Sequence, residues 1–306
     1  MSDRGITNPR FVDALKKWPR WKDIISDNDL FLGIRKKYIN IYYRGCSIFK
    51  ISYKEPHLIL ETHYKYLVYP NLKRPLVSWE GERPDVKDRV DEILIHEFKV
   101  DLLKKSSRWY AEAEKEGVHS ILKSNGNVVD VEVALSPISD DEIEDEDQDP
   151  KGRRAADRID FAAIQEKDGN ACIVFFEAKR FNNGELRSQK FTPAVIEQIQ
   201  KYETFIKEYR ENLEESYRNV CKNLFELAPD RIADLVKEVA SSHRQLTVDS
   251  DVRLVVFDYS ADEDNGDDWK KHKEILENHF GSRLLMKGNP RGFTRGISEY
   301  SLHAAA

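Results

Sequence analysis

The sequence predicts a mixed α/β chain with two parts: an amino-terminal β-rich region over residues 1–83 and an α/β domain over 84–303, whose elements run helix, three strands, helix, strand. Three observations predict it. Tyrosine- and isoleucine-rich runs at 38–43, 47–53 and 58–64 are separated by turn-forming residues. Two apolar, β-branched runs at 156–164 and 171–179 flank Asp168-Gly169, the strongest short hairpin signal. Segments with helical spacing then bracket strand-like runs at 128–135 and 252–259.

Residues 10–18 open the chain with a short amphipathic helical pattern. The three tyrosine-rich runs follow, broken at Arg44-Gly45 and Lys54-Glu55-Pro56, and predict an antiparallel meander. Its tyrosines read as half-buried sheet residues rather than a base-stacking surface. Residues 70–84 hold three prolines and Gly81 and predict an irregular boundary. Apolar density over 86–103 predicts a helix. Ser106-Ser107 offers a cap for a second helix that ends near Asn125-Gly126. Valines at 129, 131 and 133 alternate with Asp130 and Glu132, the pattern of a strand.

Residues 140–149 carry eight acids and no base, within a predicted surface loop over 138–150. Without those eight charges the net −6 of the whole chain becomes +2 over the other 296 residues. Whole-chain charge therefore neither excludes nor requires a nucleic-acid partner. Beyond the hairpin, helices are predicted over 194–227, 231–241 and 269–280, with strands at 252–259 and 282–286. The amino terminus lacks an apolar signal core and no run reaches membrane-span length, so a cytoplasmic protein with no membrane partner is expected. Cys46, Cys172 and Cys221 form no CxxC pair, which argues against a cysteine zinc site or a disulfide framework.

The hairpin carries the chemistry. If Asp168 and Gly169 form a two-residue turn, Lys167 pairs with Asn170, and the same register sets Asp160 opposite Glu177. Their Cβ atoms would then lie about 5 Å apart on one face. Lys179, two residues beyond Glu177, shares that face. Ile159, Phe161 and Ala163 would lie together on one side of the first strand. Both strands are apolar on both faces, as strands in the middle of a covered sheet are. Two facing carboxylates there repel, and a hard divalent ion resolves the repulsion. The alternative is that the acids sit near strand ends and pair with Lys179 and Arg158.

Asp160 followed by Glu177-Ala178-Lys179 resembles the signature of the PD-(D/E)xK nuclease superfamily, with Ile159 at the proline position. The order of elements over about 107–260 is similar to its restriction-endonuclease-like core. Gln198-Ile199-Gln200-Lys201-Tyr202, just after the Glu-x-Lys strand, resembles the QxxxY motif of RecB-type nucleases, and its Gln198 and Tyr202 share one helical face.

The resemblance implies a Mg²⁺- or Mn²⁺-dependent nuclease, expected to be an endonuclease, acting on nucleic acid with DNA favoured over RNA. Asp160, Glu177 and the Ala178 carbonyl would hold the cation. Lys179 would act on the attacking water, and Gln198 and Tyr202 would position the substrate or Lys179. A helix glutamate often completes such a site. Glu116, followed by Ile121-Leu122, resembles the pattern of archaeal Holliday-junction resolvases. Glu112 and Glu114 are alternatives, and Glu132 on the first strand is a further candidate. Restriction, repair or phage defence are the implied roles, with a homo-oligomer or a defence-system protein as partner. The competing reading is a catalytically silent nucleic-acid-binding or assembly module of the same fold.

Overall fold

A computed structural model describes residues 4–67, 76–80, 83–85, 98–135, 158–188 and 192–298. The chain opens with α1 (Pro9–Lys17) and α2 (Trp21–Ser26). Asn8 caps α1 by accepting the Arg10 N–H at 3.0 Å, and Pro9 occupies the first turn, where its missing N–H leaves no bond unmade. Phe11, Val12 and Leu15 form its buried stripe.

The meander continues the chain as β1 (Phe31–Ile34), β2 (Tyr38–Tyr43), β3 (Cys46–Lys54), β4 (His57–His63), β5 (Leu76–Glu80) and β6 (Arg83–Asp85). All six pair antiparallel in chain order. Of the irregular stretch expected over 70–84, residues 70–75 and 81–82 lie outside the described residues, the last two strands correct the rest, and the expected boundary between 83 and 84 falls within β6. Pro84 lies on an edge strand, where a proline removes no needed ladder bond and so marks no break. Trp79, fully buried, registers with Leu60.

Of the helix expected over 86–103, residues 86–97 lie outside the described residues. Phe98 and Lys99 are not helical, and α3 runs Val100–Ser107. Ser106 and Ser107 therefore end α3 instead of capping the next helix. That helix, α4 (Ala113–Lys123), has Glu112 at its N-cap. Next in the chain is the strand β7 (Val128–Ala134), while the acidic loop over 138–150 and the basic residues 151–154 lie outside the described residues.

The predicted hairpin forms as β8 (Arg158–Lys167) and β9 (Asn170–Arg180). Asp168 (φ 52°) and Gly169 (φ 77°) both adopt the left-handed conformation of a two-residue hairpin turn. Lys167 pairs with Asn170, and the register holds pair by pair to Phe161 opposite Phe176. Those two rings stack with centroids 4.7 Å apart.

The helix expected over 194–227 is two, α5 (Ala194–Glu208) and α6 (Arg210–Leu227), broken at Tyr209. After them come α7 (Asp234–Ala240), β10 (Leu246–Val248), β11 (Arg253–Phe257), α8 (Ala261–Asp264), α9 (Asp267–Phe280) and β12 (Leu284–Lys287). The second sheet is mixed, in the order β12-β11-β9-β8-β7. Strands β7, β8 and β9 are antiparallel, β10 and β11 run parallel to β9, and β12 runs parallel to β11. Helices cover both faces of this sheet, so its central strands are buried on both sides. Among the described residues no helix is long and apolar enough to cross a membrane.

Strand β7 departs from a regular alternating strand in two ways. Glu132, inside it, has φ 52°, a strained conformation for a non-glycine strand residue. Val131 on one side of it packs with the cluster of Phe161 and Ala163, whereas Val133 on the other packs with that of Ala162 and Ile164. Strand β8 switches sides with it. Ile159 joins the cluster of Ala162 and Ile164 and not that of Phe161 and Ala163, which corrects the simple alternation expected of this strand.

The second departure concerns Asp130. The alternating pattern placed it on a polar face, but it is completely buried. Its carboxylate accepts from Arg35 at 2.5 Å and from the Tyr217 hydroxyl at 3.1 Å, and pairs with Arg4 at 3.1 Å. Arg35 also donates to the Val131 carbonyl at 2.7 Å. One buried acid thus ties β1's flank, the amino-terminal segment and α6 to β7, beside the strained residue.

Candidate active site

The β8–β9 ladder stops where the acids begin. By the hairpin's alternation the next hydrogen-bonded pair would be Ile159 with Ala178, two residues beyond Phe161 and Phe176. Instead the Ala178 N–H donates to Asp160 Oδ2 at 2.6 Å. The side chain of Asp160 therefore takes the place of a backbone carbonyl, and β8 parts from β9 at its first residues. Continuing the register from Phe161 and Phe176 sets Asp160 across from Glu177.

Glu177 is 2% exposed. Its Oε1 accepts from Lys179 Nζ at 2.9 Å, while its Oε2 is buried with no hydrogen-bond partner. Lys179, 7% exposed, also reaches Glu185 Oε2 at 2.6 Å. Glu185 sits on the short turn Gly184–Leu186, and its N–H is capped by Asn183 Oδ1 at 2.9 Å. No pattern in the sequence singles out Glu185. It is one exposed-looking acid in a loop, and only the path of that loop back over β9 brings it to the lysine.

Charge is held here at a cost. Burial pushes the Asp160 carboxyl well above the ordinary range, with Glu177 and Glu132 adding to the rise and the Ala178 N–H and Lys179 opposing it. Burial likewise raises Glu177 to about 7. Lys179 opposes the rise, and Glu185 and Glu114 add to it. For Lys179, burial alone would favour the neutral amine. The attraction of Glu177 and the hydrogen bonds to Glu185 and Glu177 outweigh it, so the ammonium is held above its usual range. Its acid partners thus favour Lys179 as an ammonium that donates hydrogen bonds to Glu177 and Glu185.

The helix glutamates separate by geometry. Glu116 pairs with Arg44 at 2.7 Å, which corrects its expected place beside Asp160 and Glu177. Glu114 reaches the site instead, because two residues turn the helix by roughly 200°. Its Oε2 accepts from the Arg180 N–H at 3.0 Å and from Asn183 Nδ2 at 2.9 Å, closing the end of β9. Glu112, Glu114, Glu132 and Asp160 line one small cleft of about 80 Å³, with Tyr42 of β2 in its wall. Sequence reading missed Tyr42, whose hydroxyl is kept protonated chiefly by burial. Of the other two tyrosines on that strand, Tyr43 is buried and Tyr38 half-buried, as ordinary sheet residues are.

Gln198 and Tyr202 do converge, but on the backbone of β8. Gln198 Nε2 donates to the Tyr202 hydroxyl at 2.7 Å, and that hydroxyl donates to the Arg158 carbonyl at 3.0 Å. The pair thus clamps the start of β8 two residues before Asp160. Gln198 Oε1 is buried with no hydrogen-bond partner.

The donor set suits a hard divalent cation: the buried Glu177 carboxylate with its orphaned oxygen, and the half-buried carboxylate of Asp160. Asp160 and Glu177 are the residues that could hold it. Among the described residues no three His, Cys, Asp or Glu side chains come together as a ready metal group. The fit is accordingly to an ion such as Mg²⁺, which takes one or two protein carboxylates and completes its shell with water and phosphate.

Fold and site together define a mixed α/β protein that carries a buried acid, a half-buried acid and a lysine at the opened end of a hairpin. The chain matches no family model, no curated protein and no solved structure.

Proposed function

We propose that this chain is a divalent-metal-dependent nuclease with a restriction-endonuclease-like core of the PD-(D/E)xK type, hydrolysing phosphodiester bonds in nucleic acid. The observation that carries the reading is the opened ladder. It leaves Asp160, half-buried, beside the buried Glu177 and Lys179, the acids only partly neutralised, where an antiparallel pair would otherwise continue. The Gln198–Tyr202 clamp on the same strand adds support from a second element. DNA as substrate and a place in restriction, repair or phage defence rest on the family resemblance of these motifs.

Asp160 and Glu177 would hold the cation, whose chemistry is to acidify a bound water and to stabilise charge on phosphate oxygens. Lys179, whose ammonium its acid partners favour, would orient the attacking water and stabilise the charge that develops on the phosphate. Glu185 keeps the ammonium in place. The Tyr202 clamp sets the position of Asp160 through the backbone.

The test is cleavage of labelled linear and circular DNA and RNA with Mg²⁺ or Mn²⁺. The wild type should cut, a chelator should stop it, and Lys179→Ala should lose cleavage while keeping its fold. Opening of the circle marks endonuclease action. Full activity in the variant overturns the assignment. The second reading is a catalytically silent nucleic-acid-binding or assembly module of the same fold, in which Lys179 and the Ala178 N–H satisfy the acids without a cation. Binding of nucleic acid without any cleavage or cation uptake would establish it.

Cation binding should depend on pH. Below about 7 the Glu177 carboxyl keeps a proton that an entering cation must displace; above it the carboxylate is ready. Affinity should therefore be about tenfold weaker at pH 6 than at pH 8, as calorimetry would show. Without cation, the sign of the stability change is opposite. The folded chain retains a proton that the unfolded chain releases near 4.5, so stability falls as pH rises from there to about 7. A flat affinity between pH 6 and 8 contradicts cation binding through Glu177.

A further inference from the structure

The link between α3 and α4 holds a tryptophan out in water. Trp109 is 87% exposed, a poor place for so large an apolar ring. Its backbone is not loose: the Trp109 N–H donates to the Ser106 carbonyl at 3.2 Å and the Tyr110 N–H to the Ser107 carbonyl at 2.9 Å. Neighbours pin both ends of the turn. Arg108 Nε donates to the Tyr43 hydroxyl at 3.3 Å. Tyr110 meets Tyr66 edge-on at 5.9 Å, and Lys65 lies over both rings at 5.3 and 5.5 Å. An anchored turn that presents an indole is a platform.

Its surroundings select an anion. Residues 99–110 hold Lys99, Lys104, Lys105 and Arg108 against the single acid Asp101. Lys104 is taken up by Asp27 at 2.6 Å, which leaves Lys105 and Arg108 exposed within four residues of the indole, while Lys65 lies over the neighbouring Tyr110 ring. Three residues further on, Glu112 lines the cleft that contains Asp160. Three residues span at most about 10 Å, the rise of roughly three stacked nucleotides at ~3.4 Å each. The positive, aromatic turn is therefore at the approach to the acidic cleft, where a polyanion needs cations along its path.

We infer that Trp109 is a base-stacking residue for single-stranded nucleic acid, with Lys105 and Arg108 holding the flanking phosphates. Stacking requires an open base face, which a duplex hides except at its ends, so unpaired bases are the recognised feature. The inference deepens the nuclease reading by naming the form of substrate led to that site, and it rests on that reading only for what happens after binding.

The experiment is a titration of the full chain with short oligo(dT), oligo(rU) and a blunt duplex, with chelator present so that nothing is cut. Of the five tryptophans, Trp21, Trp79 and Trp269 are buried and Trp18 is half-buried, so quenching of the exposed component of emission reports Trp109. Single strands should quench it and the duplex should not. Trp109→Ala should weaken single-strand affinity by about 5- to 150-fold, measured by anisotropy of labelled oligonucleotide, and Trp109→Phe should restore most of it. Removing Lys105 and Arg108 together should lower the salt slope by about 2.

Unchanged affinity in Trp109→Ala overturns the inference, as does preference for the duplex. Loss of self-association in place of oligonucleotide binding would assign the ring to a protein contact and overturn it too. Cleavage by the wild type separates the two claims: cutting with an indifferent Trp109 sinks stacking alone, and stacking without any cutting sinks the nuclease reading alone.

Discussion

Replacing Asp160 with asparagine should abolish cleavage and make the protein more stable. The amide oxygen can still accept the Ala178 N–H that Asp160 Oδ2 now holds at 2.6 Å, so the opened ladder keeps its closure. What disappears is a carboxyl whose ionisation is opposed by burial, Glu177 and Glu132, which together push it well above its usual range. Removing that repulsion should raise stability by about 1–2 kcal/mol at pH 8, the size common when a strained functional site is relieved. Activity should fall by at least ~10³-fold, because one of two cation-holding carboxylates is gone. Urea denaturation and a cleavage assay on the same preparation check both halves. Equal or lower stability with lost activity would mean that Asp160 is a structural residue.

Removing Asp130 should do the reverse to stability and strike harder. Asp130→Ala leaves Arg4 and Arg35, 2% and 3% exposed, facing each other without their shared carboxylate. Two Arg4 nitrogens are already buried without partners, so the guanidinium has nowhere to turn. Breaking a buried ion pair from one side typically costs about 3–5 kcal/mol. A loss of that order in equilibrium denaturation is expected, together with loosening of the amino-terminal segment in hydrogen exchange. That segment is tied to α6 by the Ile6 N–H donating to Asn223 Oδ1 at 2.7 Å, and it carries Arg4. A change below about 1 kcal/mol would show that the arginines find other partners.

The two substitutions divide the acids by what surrounds them. Asp130 meets two guanidinium groups and a hydroxyl, so its charge is satisfied and holds the fold. Asp160 and Glu177 meet one ammonium between them and a single N–H, so their charge is held in reserve.

How far the sequence reaches is plain from particular residues. Asp168-Gly169 dictates a turn with two left-handed residues, and the period of two along a strand then carries the register to Phe161 and Phe176 and points it at Asp160 and Glu177. The spacing of Gln198 and Tyr202 likewise comes from the helical turn. These are local rules, legible without the rest of the chain. Periodicity misplaced Asp130, because alternation distinguishes two faces and not whether both are covered. Pro84 read as part of an irregular stretch because sequence does not show which strand is the edge.

By itself, then, the sequence determined the hairpin and its register as far as Phe161 and Phe176, since both depend on torsions and side chains a few residues apart. Only the tertiary structure decided the partners. It turned Glu116 to Arg44 and brought Glu114 to the end of β9. It set Glu185 on Lys179 and sent Tyr202 to the Arg158 carbonyl. It placed Tyr42 of the amino-terminal sheet in the wall of the cleft and left Trp109 in water. The physical reason is that a carboxylate or a hydroxyl takes whichever opposite group the packing brings within about 3 Å. Which group arrives is settled by contacts between segments far apart in the chain, and no local pattern encodes them.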